Sequence, residues 1–297
     1  MMTDVAATTT PGTAASQPPH PWDAAAAGWN HHAVLIHEWL HDATRTMLDE
    51  AHIGPGAHVL DIAAGAGDQT LDIARRVGSR GRVLATDVSP GILALAQTNA
   101  DAEGFLQVST QVADAQSLGL AGADFDAAVS RLGLMFCRSP DAALREIRAA
   151  LKPHSRFSAL VFGRPEHNPC LTTMLATARK HAGMVDASAT QTTRVFDPGS
   201  LMSLGKPGLL EEMLKTAGFI NVSARYVSAP FRTDSAEQYV DFLRSSASPI
   251  IEMLAPLSSA ARHDAWVDIT EQLKVFDVPS GWIGPNELLH CVAEKPP

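Results

Sequence analysis

The stretch that decides the fold is "VLDIAAGAGDQT", residues 59–70. A short apolar run ends at Asp61, a tight loop carries Gly65 and Gly67, and a helix is predicted to begin near Asp68. Because glycine has no Cβ, the two glycines allow positive φ angles and let the backbone approach a ligand closely. The first turn of the helix presents free N–H groups to the same ligand. The pattern therefore predicts a strand, a ligand-binding turn and a helix in succession.

An acidic residue marks the end of the next predicted strand. Asp87 closes the apolar run at residues 82–87 and stands 20 residues after Gly67. In doubly wound sheets, an acid at this place accepts hydrogen bonds from ribose hydroxyls. A dinucleotide-binding loop prefers a third glycine where this chain has Thr70, and a carboxylate at Asp68 would repel a pyrophosphate. Both features favour a cationic nucleoside such as S-adenosylmethionine over a nicotinamide dinucleotide.

Strands and helices alternate through the middle of the chain. After the strands at residues 58–63 and 82–87, the segments "FLQVSTQVAD", "FDAAVSRLGL" and "RFSALVFG" each predict one strand. Helices are predicted after the first, second and fourth of these five strands. Two further strands are predicted at residues 219–227 and 287–295. This alternation predicts an α/β fold with a parallel sheet and helices on both faces.

The chain reads as one sheet domain with a helical cover. Residues 1–20 are mostly Ala, Thr, Pro and Ser, and we predict a disordered tail there. Residues 21–56 are interpreted as an N-terminal helical cover, with a short helix, a break at Gly28 and a longer helix. The sheet domain follows at residues 57–297, with helical insertions predicted at about 165–207 and 234–278.

The ordered set of motifs resembles the class I S-adenosylmethionine-dependent methyltransferases, in particular their small-molecule branch related to ubiquinone and menaquinone biosynthesis. The residues that carry the resemblance are Asp61, Gly65 and Gly67, Asp87 in "ATDVSPGIL", Asp114 in "VADAQSL", and "FDAAVSRLGLMF" followed by "ALREIRAALKPHSRF". The resemblance is close over about residues 57–162 and looser over 208–229 and 286–295. It departs before the fifth strand, where His154 and Ser155 replace two usual glycines.

The resemblance implies a Rossmann-like sheet of seven strands, mostly parallel with an antiparallel last strand, with helices on both faces and a helical lid. It also implies S-adenosylmethionine as the cofactor. In that arrangement, the loop from Asp61 through Ala63 and Gly65 to Gly67 would hold the methionine part. Other implied contacts are Asp87 with the ribose, Val88 with the adenine, Asp114 and Ala115 with its amine edge, and Ser130 and Arg131 near the sulfonium and the substrate.

The implied activity is in-line transfer of a methyl group to an oxygen, nitrogen or carbon atom of a small molecule. A histidine near the acceptor could serve as a base at neutral pH. The candidate catalytic residues are His31, His32 and Arg131, and the candidate substrate or lid residues are Trp22, Trp29, His37, His167 and Asn168. Two alternatives stay open: a nicotinamide-dependent oxidoreductase, and a protein that binds S-adenosylmethionine without transferring a methyl group.

The motif "HEWLH", residues 37–41, matches the H-E-x-x-H pattern of zinc peptidases. A working zinc site needs a third protein ligand, and the extended peptidase motif has a glycine where this chain has Thr44. We therefore predict no metal site, and we interpret Trp39 and Leu40 as the packing face of the helix.

Composition narrows the range of partners. The 297 residues carry a net charge of -9 without a cluster of Lys and Arg, which disfavours nucleic acid. The first basic residue is Arg45 and no apolar run reaches the ~18 residues of a membrane span, so we expect no leader and no membrane span. A small-molecule substrate and a cytoplasmic location are predicted, and homo-oligomerisation is left open. The location rests on three cysteines that form no disulfide framework: Cys137, Cys170 and Cys291.

Overall fold

The computed structural model describes residues 20–120, 122, 124–184 and 194–297. The predicted tail lies outside this part of the chain except for His20. That residue caps the first helix, because its Nδ1 accepts a hydrogen bond from the backbone N–H of Trp22 at 3.3 Å.

Strands and helices alternate through the middle of the described chain. The strands are β1 His58–Ile62, β2 Arg82–Asp87, β3 Val108–Val112, β4 Phe125–Arg131, β5 Leu151–Phe162, β6 Ile220–Ser228, β7 Phe231–Thr233, β8 Asp277–Val278, β9 Gly281–Gly284 and β10 Glu287–Glu294. The helices are α1 Pro21–His31, α2 Ala33–Glu50, α3 Asp68–Val77, α4 Pro90–Ala102, α5 Pro140–Ala150, α6 Pro169–His181, α7 Leu209–Thr216, α8 Ala236–Ser246, α9 Ser248–Leu254 and α10 Ser259–Leu273.

Seven of the described strands form the main sheet in the order β3-β2-β1-β4-β5-β10-β6. The strands from β1 to β5 pair in parallel, whereas β10 runs antiparallel to both β5 and β6. The predicted fold class is therefore confirmed. The strand order reverses between β1 and β4, and in open α/β sheets such a reversal leaves a crevice outside the carboxyl ends of the strands.

The central strands are apolar on both sides because helices cover both faces of the sheet. Val59 and Leu60 of β1 are fully buried, as are Phe157 and Leu160 of β5. These side chains belong to one continuous hydrophobic core that also includes residues of α2, α3 and α5. The carboxyl ends of the strands are thereby held on a rigid base.

The turn at the start of β5 keeps its backbone geometry without the two usual glycines. His154 adopts a φ of 64°, in the left-handed region that glycine normally occupies. Its backbone N–H donates to the carbonyl of Lys295 at 2.9 Å, and its side chain lies 3.6 Å from Glu294. The departure seen in the sequence therefore changes the residue at the turn and leaves the strand in place.

The predicted break at Gly28 is wrong, since α1 continues through this residue to His31. Gly28 is buried, and a Cβ built on it would lie 2.0 Å from the backbone oxygen of Ser245. Glycine is needed here because α1 crosses α8 at very short range. The real turn between α1 and α2 falls at His32.

A helical cover lies over the carboxyl ends of the strands. It comprises α1 and α2 together with α6, α8, α9 and α10, and the last three helices lie within the segment predicted as an insertion at about 234–278. A small sheet in the order β7-β9-β8 fastens this cover, and the sequence did not reveal it. Trp282 of β9 is fully buried and its indole N–H donates to the carbonyl of Leu273 at 2.8 Å.

Candidate active site

A cavity of about 890 Å³ opens between the sheet and the cover. Its sheet side is formed by the loops after β1, β2, β3 and β4, which is where the reversal of strand order leaves a crevice. Its other side is formed by α1, α2, α6, α8 and α9. The cavity therefore joins the predicted nucleoside site to the interior of the helical cover.

Asp61 at the end of β1 lies beneath the glycine loop and outside the lining of the cavity. It is fully buried, and its two carboxylate oxygens accept hydrogen bonds from the side chains of Gln69 and Thr70 in α3. Burial raises the pKa of Asp61 to about 6, against the lowering effect of these hydrogen bonds. Asp61 thus fixes the start of α3 to β1, and its predicted contact with the cofactor stays a prediction.

The backbone is strained at the ends of β1 and β4. Ala63 and Leu132 have φ angles of 56° and 58°, although neither is glycine. A Cβ on Gly133 would lie 2.2 Å from the Cβ of Ala63, and a Cβ on Gly67 would lie 3.0 Å from the Cα of Ala96. Such strain often marks ligand sites, where surrounding contacts hold the backbone in place.

Asp87 at the end of β2 lines the cavity and faces the glycine loop. One carboxylate oxygen accepts the N–H of Gly65 and the other accepts the N–H of Ser89, both at 3.0 Å. Burial raises the pKa of Asp87, although these backbone hydrogen bonds act in the opposite direction. Each oxygen keeps a second acceptor position, so the carboxylate can receive two hydroxyl donors from a bound ligand.

The loop after β3 adds the next part of the lining. Ala115 lines the cavity, as does Asp114, whose exposed carboxylate accepts the backbone N–H of Gln116 at 2.9 Å. The neighbouring Ala113 donates its N–H to the carbonyl of Asp87 at 2.9 Å, which ties this loop to β2. Together with Val88, these residues form the part of the lining next to Asp87.

Arg131 at the end of β4 lines the cavity and forms a buried ion pair. Its guanidinium donates to Asp68 at 2.7 Å and to the hydroxyl of Thr44 at 2.8 Å. His37 of α2 reaches the other oxygen of Asp68, with 2.9 Å between its Nδ1 and that oxygen. The neighbouring Ser130 is buried outside the cavity lining, and its hydroxyl has no hydrogen-bond partner among the described residues.

Helix α1 forms a wall over the nucleoside end of the cavity. Trp22 and Trp29 both line the cavity; Trp22 packs edge-on against Phe136, with ring centres 4.9 Å apart. The indole N–H of Trp29 donates to the carbonyl of Ser246 at 2.9 Å, which holds α1 against α8. The structure thus brings both predicted lid tryptophans to the cavity.

Two side chains tie α1 to α4 on the sheet side. Asp23 accepts hydrogen bonds from the hydroxyl of Ser89 and from the backbone N–H of Gly91. At the other end of α1, the Asn30 side chain accepts from Asn99, whose amide also donates to the carbonyl of Ala66 in the glycine loop. These contacts could not be predicted from the sequence, because the partners lie more than sixty residues apart.

The other predicted polar residues lie away from the cavity lining. His31 is exposed, and His32 shares a hydrogen bond with Ser245 while burial lowers its pKa. His167 is half-exposed, 3.7 Å from Glu287. Asn168 is fully buried, and its amide bonds the backbone of Arg164 and Glu287. Their predicted catalytic and substrate roles stay predictions.

The second histidine of "HEWLH" lies on the surface. His41 faces Asp42 at 3.4 Å, and the rings of His37 and His41 lie 5.5 Å apart. Within the described ranges, no group of three or more His, Cys, Asp and Glu side chains is arranged to hold a metal ion. His37 instead takes part in the cluster around Asp68.

The end of the cavity beneath the cover is apolar, with both aromatic and aliphatic side chains. Sequence reasoning predicted helices here but no individual lining residue, since the side chains come from distant segments. They are Ile36, Trp39, Leu40, Phe162, Leu171, Met174, Leu175, Phe231, Tyr239, Phe242, Leu243, Ile250 and Met253. This end can enclose an apolar molecule and exclude water.

The sheet side of the cavity fits an adenosyl group. Asp87 offers two acceptor positions for ribose hydroxyls, and the loop of small residues at 63–67 leaves room for close backbone contact. Thr70 occupies the place of a third glycine and is buried against Asp61, so α3 does not have the dinucleotide-binding packing there.

Comparisons with known proteins agree with this geometry. A family described as a methyltransferase domain matches residues 59–154. A Mycobacterium tuberculosis protein described as uncharacterized protein Rv1405c is 30% identical over 248 residues, which cover 80% of this chain and 81% of that protein. The crystal structure of Haemonchus contortus phosphoethanolamine N-methyltransferase 2, solved with S-adenosylhomocysteine, has a TM-score of 0.54 at 17% identity and covers 90% of this chain and 58% of that one.

The chain belongs to the class I S-adenosylmethionine-dependent methyltransferases, and S-adenosylmethionine is its cofactor. Within that class it is similar to UbiE, the ubiquinone/menaquinone biosynthesis C-methyltransferase. The UbiE of Shewanella frigidimarina is 34% identical over 124 residues, which cover 41% of this chain and 49% of UbiE. The nicotinamide-dependent alternative is therefore set aside.

Proposed function

We propose that this enzyme transfers a methyl group from S-adenosylmethionine to a small acceptor with a largely apolar body. The observation that carries the proposal is the continuity of one cavity, from the carboxylate of Asp87 to the aromatic side chains of α8. When bound, the cofactor supplies a methyl group on a sulfonium that is already a strong electrophile. The protein then has to align the acceptor and keep water away.

The proposed cofactor contacts follow the sheet side of the cavity. Asp87 would hold the ribose hydroxyls, and Val88 and Ala115 would lie against the adenine, with Asp114 at its amine edge. The loop at residues 63–67 would hold the methionine part. Gly65 links two of these contacts, because its N–H donates to Asp87 and thereby orients that carboxylate.

The proposed acceptor site is the apolar end beneath the cover. Trp39, Phe231 and Phe242 offer flat surfaces, and Leu175 and Met253 complete the enclosure. Burial of an apolar acceptor is favourable at roughly 25 cal/mol per Å² of apolar surface removed from water. The name of the related UbiE refers to quinone biosynthesis, which supports an aromatic acceptor, although UbiE matches only part of this chain.

Binding measurements test the cofactor and transfer measurements test the acceptor. Calorimetry should show binding of S-adenosylhomocysteine and none of NAD. Transfer of labelled methyl groups should be fastest to apolar phenols and hydroquinones, slower to polar amines, and absent with peptides. Transfer mainly to polar amines or peptides would contradict the proposed acceptor class, and tight binding of NAD alone would contradict the whole proposal.

Three further expectations stay proposals. The net charge of -9 supports the absence of a nucleic-acid partner. The three cysteines are buried free thiols, which supports a cytoplasmic location. A homo-oligomer remains open to a measurement of mass in solution. Among the described helices, none is both long and apolar enough to cross a membrane.

A further inference from the structure

The first histidine of "HEWLH" makes a contact that the zinc-peptidase pattern does not explain. His37 lies on α2, outside the cavity lining, and its Nδ1 is 2.9 Å from a carboxylate oxygen of Asp68. Its side chain is 38% exposed, whereas that of Asp68 is only 17% exposed and lines the cavity. His37 therefore approaches from outside a carboxylate that faces the ligand space.

Asp68 is held from two sides. His37 bonds one carboxylate oxygen, and Arg131 donates to the other at 2.7 Å. Arg131 is itself fixed by the hydroxyl of the buried Thr44, so α2, α3 and β4 all contribute to the arrangement. A carboxylate held in this way loses its freedom to rotate, and its orientation toward the cavity is set before any ligand binds.

The held pair still has capacity for a ligand. A carboxylate offers about four acceptor positions and a guanidinium has five N–H donors. The protein uses two of the acceptor positions on Asp68 and two of the donors on Arg131. Both residues line the cavity next to the glycine loop, so one negative and one positive group lie side by side. This is the charge pattern that complements a zwitterionic amino acid.

We propose that Asp68 and Arg131 bind the ammonium and carboxylate of the cofactor's amino-acid end, and that His37 is a positioning residue for Asp68. The inference rests on the proposed function, because it assumes S-adenosylmethionine in this cavity. Without His37, one oxygen of Asp68 loses its protein donor and the carboxylate can turn away from the ligand. Affinity should then fall for ligands with an amino-acid end and for no others.

Two ligands separate positioning from a purely structural role. S-Adenosylhomocysteine carries the amino-acid end, whereas 5′-methylthioadenosine keeps the adenosine and the sulfur and lacks that end. We would measure both dissociation constants by calorimetry for wild type, His37→Ala, His37→Gln and Asp68→Asn. His41→Ala serves as the matched control, because His41 lies one turn further along the same helix and faces Asp42 at the surface.

The expected result is selective. Asp68→Asn should weaken S-adenosylhomocysteine binding by roughly tenfold or more, the range for a hydrogen bond that involves a charged group. His37→Ala should weaken it by about fivefold, because His37 acts on the ligand only through Asp68. His37→Gln, which keeps a donor, should recover part of the loss. Binding of 5′-methylthioadenosine should change by less than about twofold in every variant, which also shows that the variants are folded.

Equal losses for the two ligands would overturn the inference and leave His37 and Asp68 as a structural clamp between α2 and α3. No loss in either variant would overturn it as well. If the wild-type protein binds neither ligand, the proposed function itself is contradicted. If the wild type binds both ligands and the variants weaken both equally, only the inference about Asp68 and His37 is contradicted.

Discussion

The two ends of the cavity are built in different ways. The cofactor end draws its lining mainly from residues 62–138, at the ends of adjacent strands, and fixes polar groups with backbone hydrogen bonds. The end proposed to hold the acceptor gathers apolar side chains from α2, α6, α8 and α9, which are far apart in sequence. The difference indicates that backbone geometry shapes the sheet end of the cavity, whereas side-chain packing shapes the end proposed to hold the acceptor.

The largest effect on stability is expected when the buried phenyl ring of Phe242 is removed from the helical cover. Phe242 is buried and packs against the rings of His32 and Phe231, at 5.4 Å and 5.1 Å between centres. Phe242→Ala should lower the free energy of unfolding by about 3–5 kcal/mol, the usual cost of removing a buried phenyl ring. Urea unfolding measures this change.

The same variant tests whether the two ends are separable. Binding of S-adenosylhomocysteine to folded Phe242→Ala should weaken by less than about fivefold, since the proposed cofactor contacts lie on the sheet. Val267→Ala, at an exposed position of α10, is the control and should change stability by less than about 0.5 kcal/mol. A loss of cofactor affinity as large as that in Asp87→Ala would show that the ends are coupled.

The next effect concerns a buried group in the sheet. His290 of β10 is almost fully buried beside the hydroxyl of Ser158, and burial lowers its pKa from 6.5 to about 4. Because the folded pKa lies below the unfolded one, the stabilisation is present above pH 6.5 and is lost as the pH falls toward 4. The difference between the folded and unfolded pKa of His290 corresponds to about 3 kcal/mol in the free energy of unfolding.

Comparison with His290→Gln isolates this contribution. Unfolding free energies of both proteins at pH 7.5, 6 and 4.5 should converge as the pH falls, because only the wild type must bury an imidazole that is losing its neutral form. Asp61 has a raised pKa and contributes the opposite slope, but it is present in both proteins and cancels. Parallel curves would show that His290 is not responsible for the acid sensitivity.

A smaller effect is expected at Asp87, the residue proposed to bind the ribose. Asp87→Ala should weaken binding of both S-adenosylhomocysteine and 5′-methylthioadenosine by about 1–3 kcal/mol, because both ligands carry the ribose. Asp114→Ala is the comparison on the next loop, and its exposed carboxylate should matter by less than about 1 kcal/mol. Calorimetry gives both values. Unchanged binding in Asp87→Ala would place the ribose elsewhere.

The smallest effect is expected at the contact between α1 and α4. Asp23→Ala removes the acceptor for Ser89 and Gly91, so α1 should be held to α4 less firmly, by about 1 kcal/mol. Amide hydrogen exchange in α1 should become about fivefold faster, while exchange in α3 stays unchanged. Asp42→Ala, at the exposed surface of α2, is the control. Equal exchange in the two variants would show that Asp23 does not secure α1.

The loop after β1 and the end of β2 could be predicted because their signals are local. The glycines of the first loop and Asp87 follow strands whose apolar runs are short and complete, and the cavity opens beside them. The burial of Asp61 was harder to predict, because it depends on the side chains of Gln69 and Thr70, which hydrogen-bond to its carboxylate.

The acceptor end could not be predicted because its contacts are distant in sequence. Gly28 suggested a break in the helix, because no local pattern shows that α8 packs where a Cβ on residue 28 would lie. The strands of the small sheet have only two to four residues, too few for a visible alternation. In the sequence, His37 belongs to the H-E-x-x-H pattern and Asp68 to the predicted helix start. Only the fold shows that their side chains are in contact.

The position of β10 has a consequence for how the chain folds during synthesis. This strand is made after β6, yet it lies between β5 and β6 and hydrogen-bonds to both. Residues 220–228 therefore cannot join the sheet until residues 287–294 have left the ribosome. In the interval, β5 presents an unpaired edge, which is the kind of surface that invites association between nascent chains. Translation speed through the codons for residues 229–294 should thus influence the yield of native enzyme.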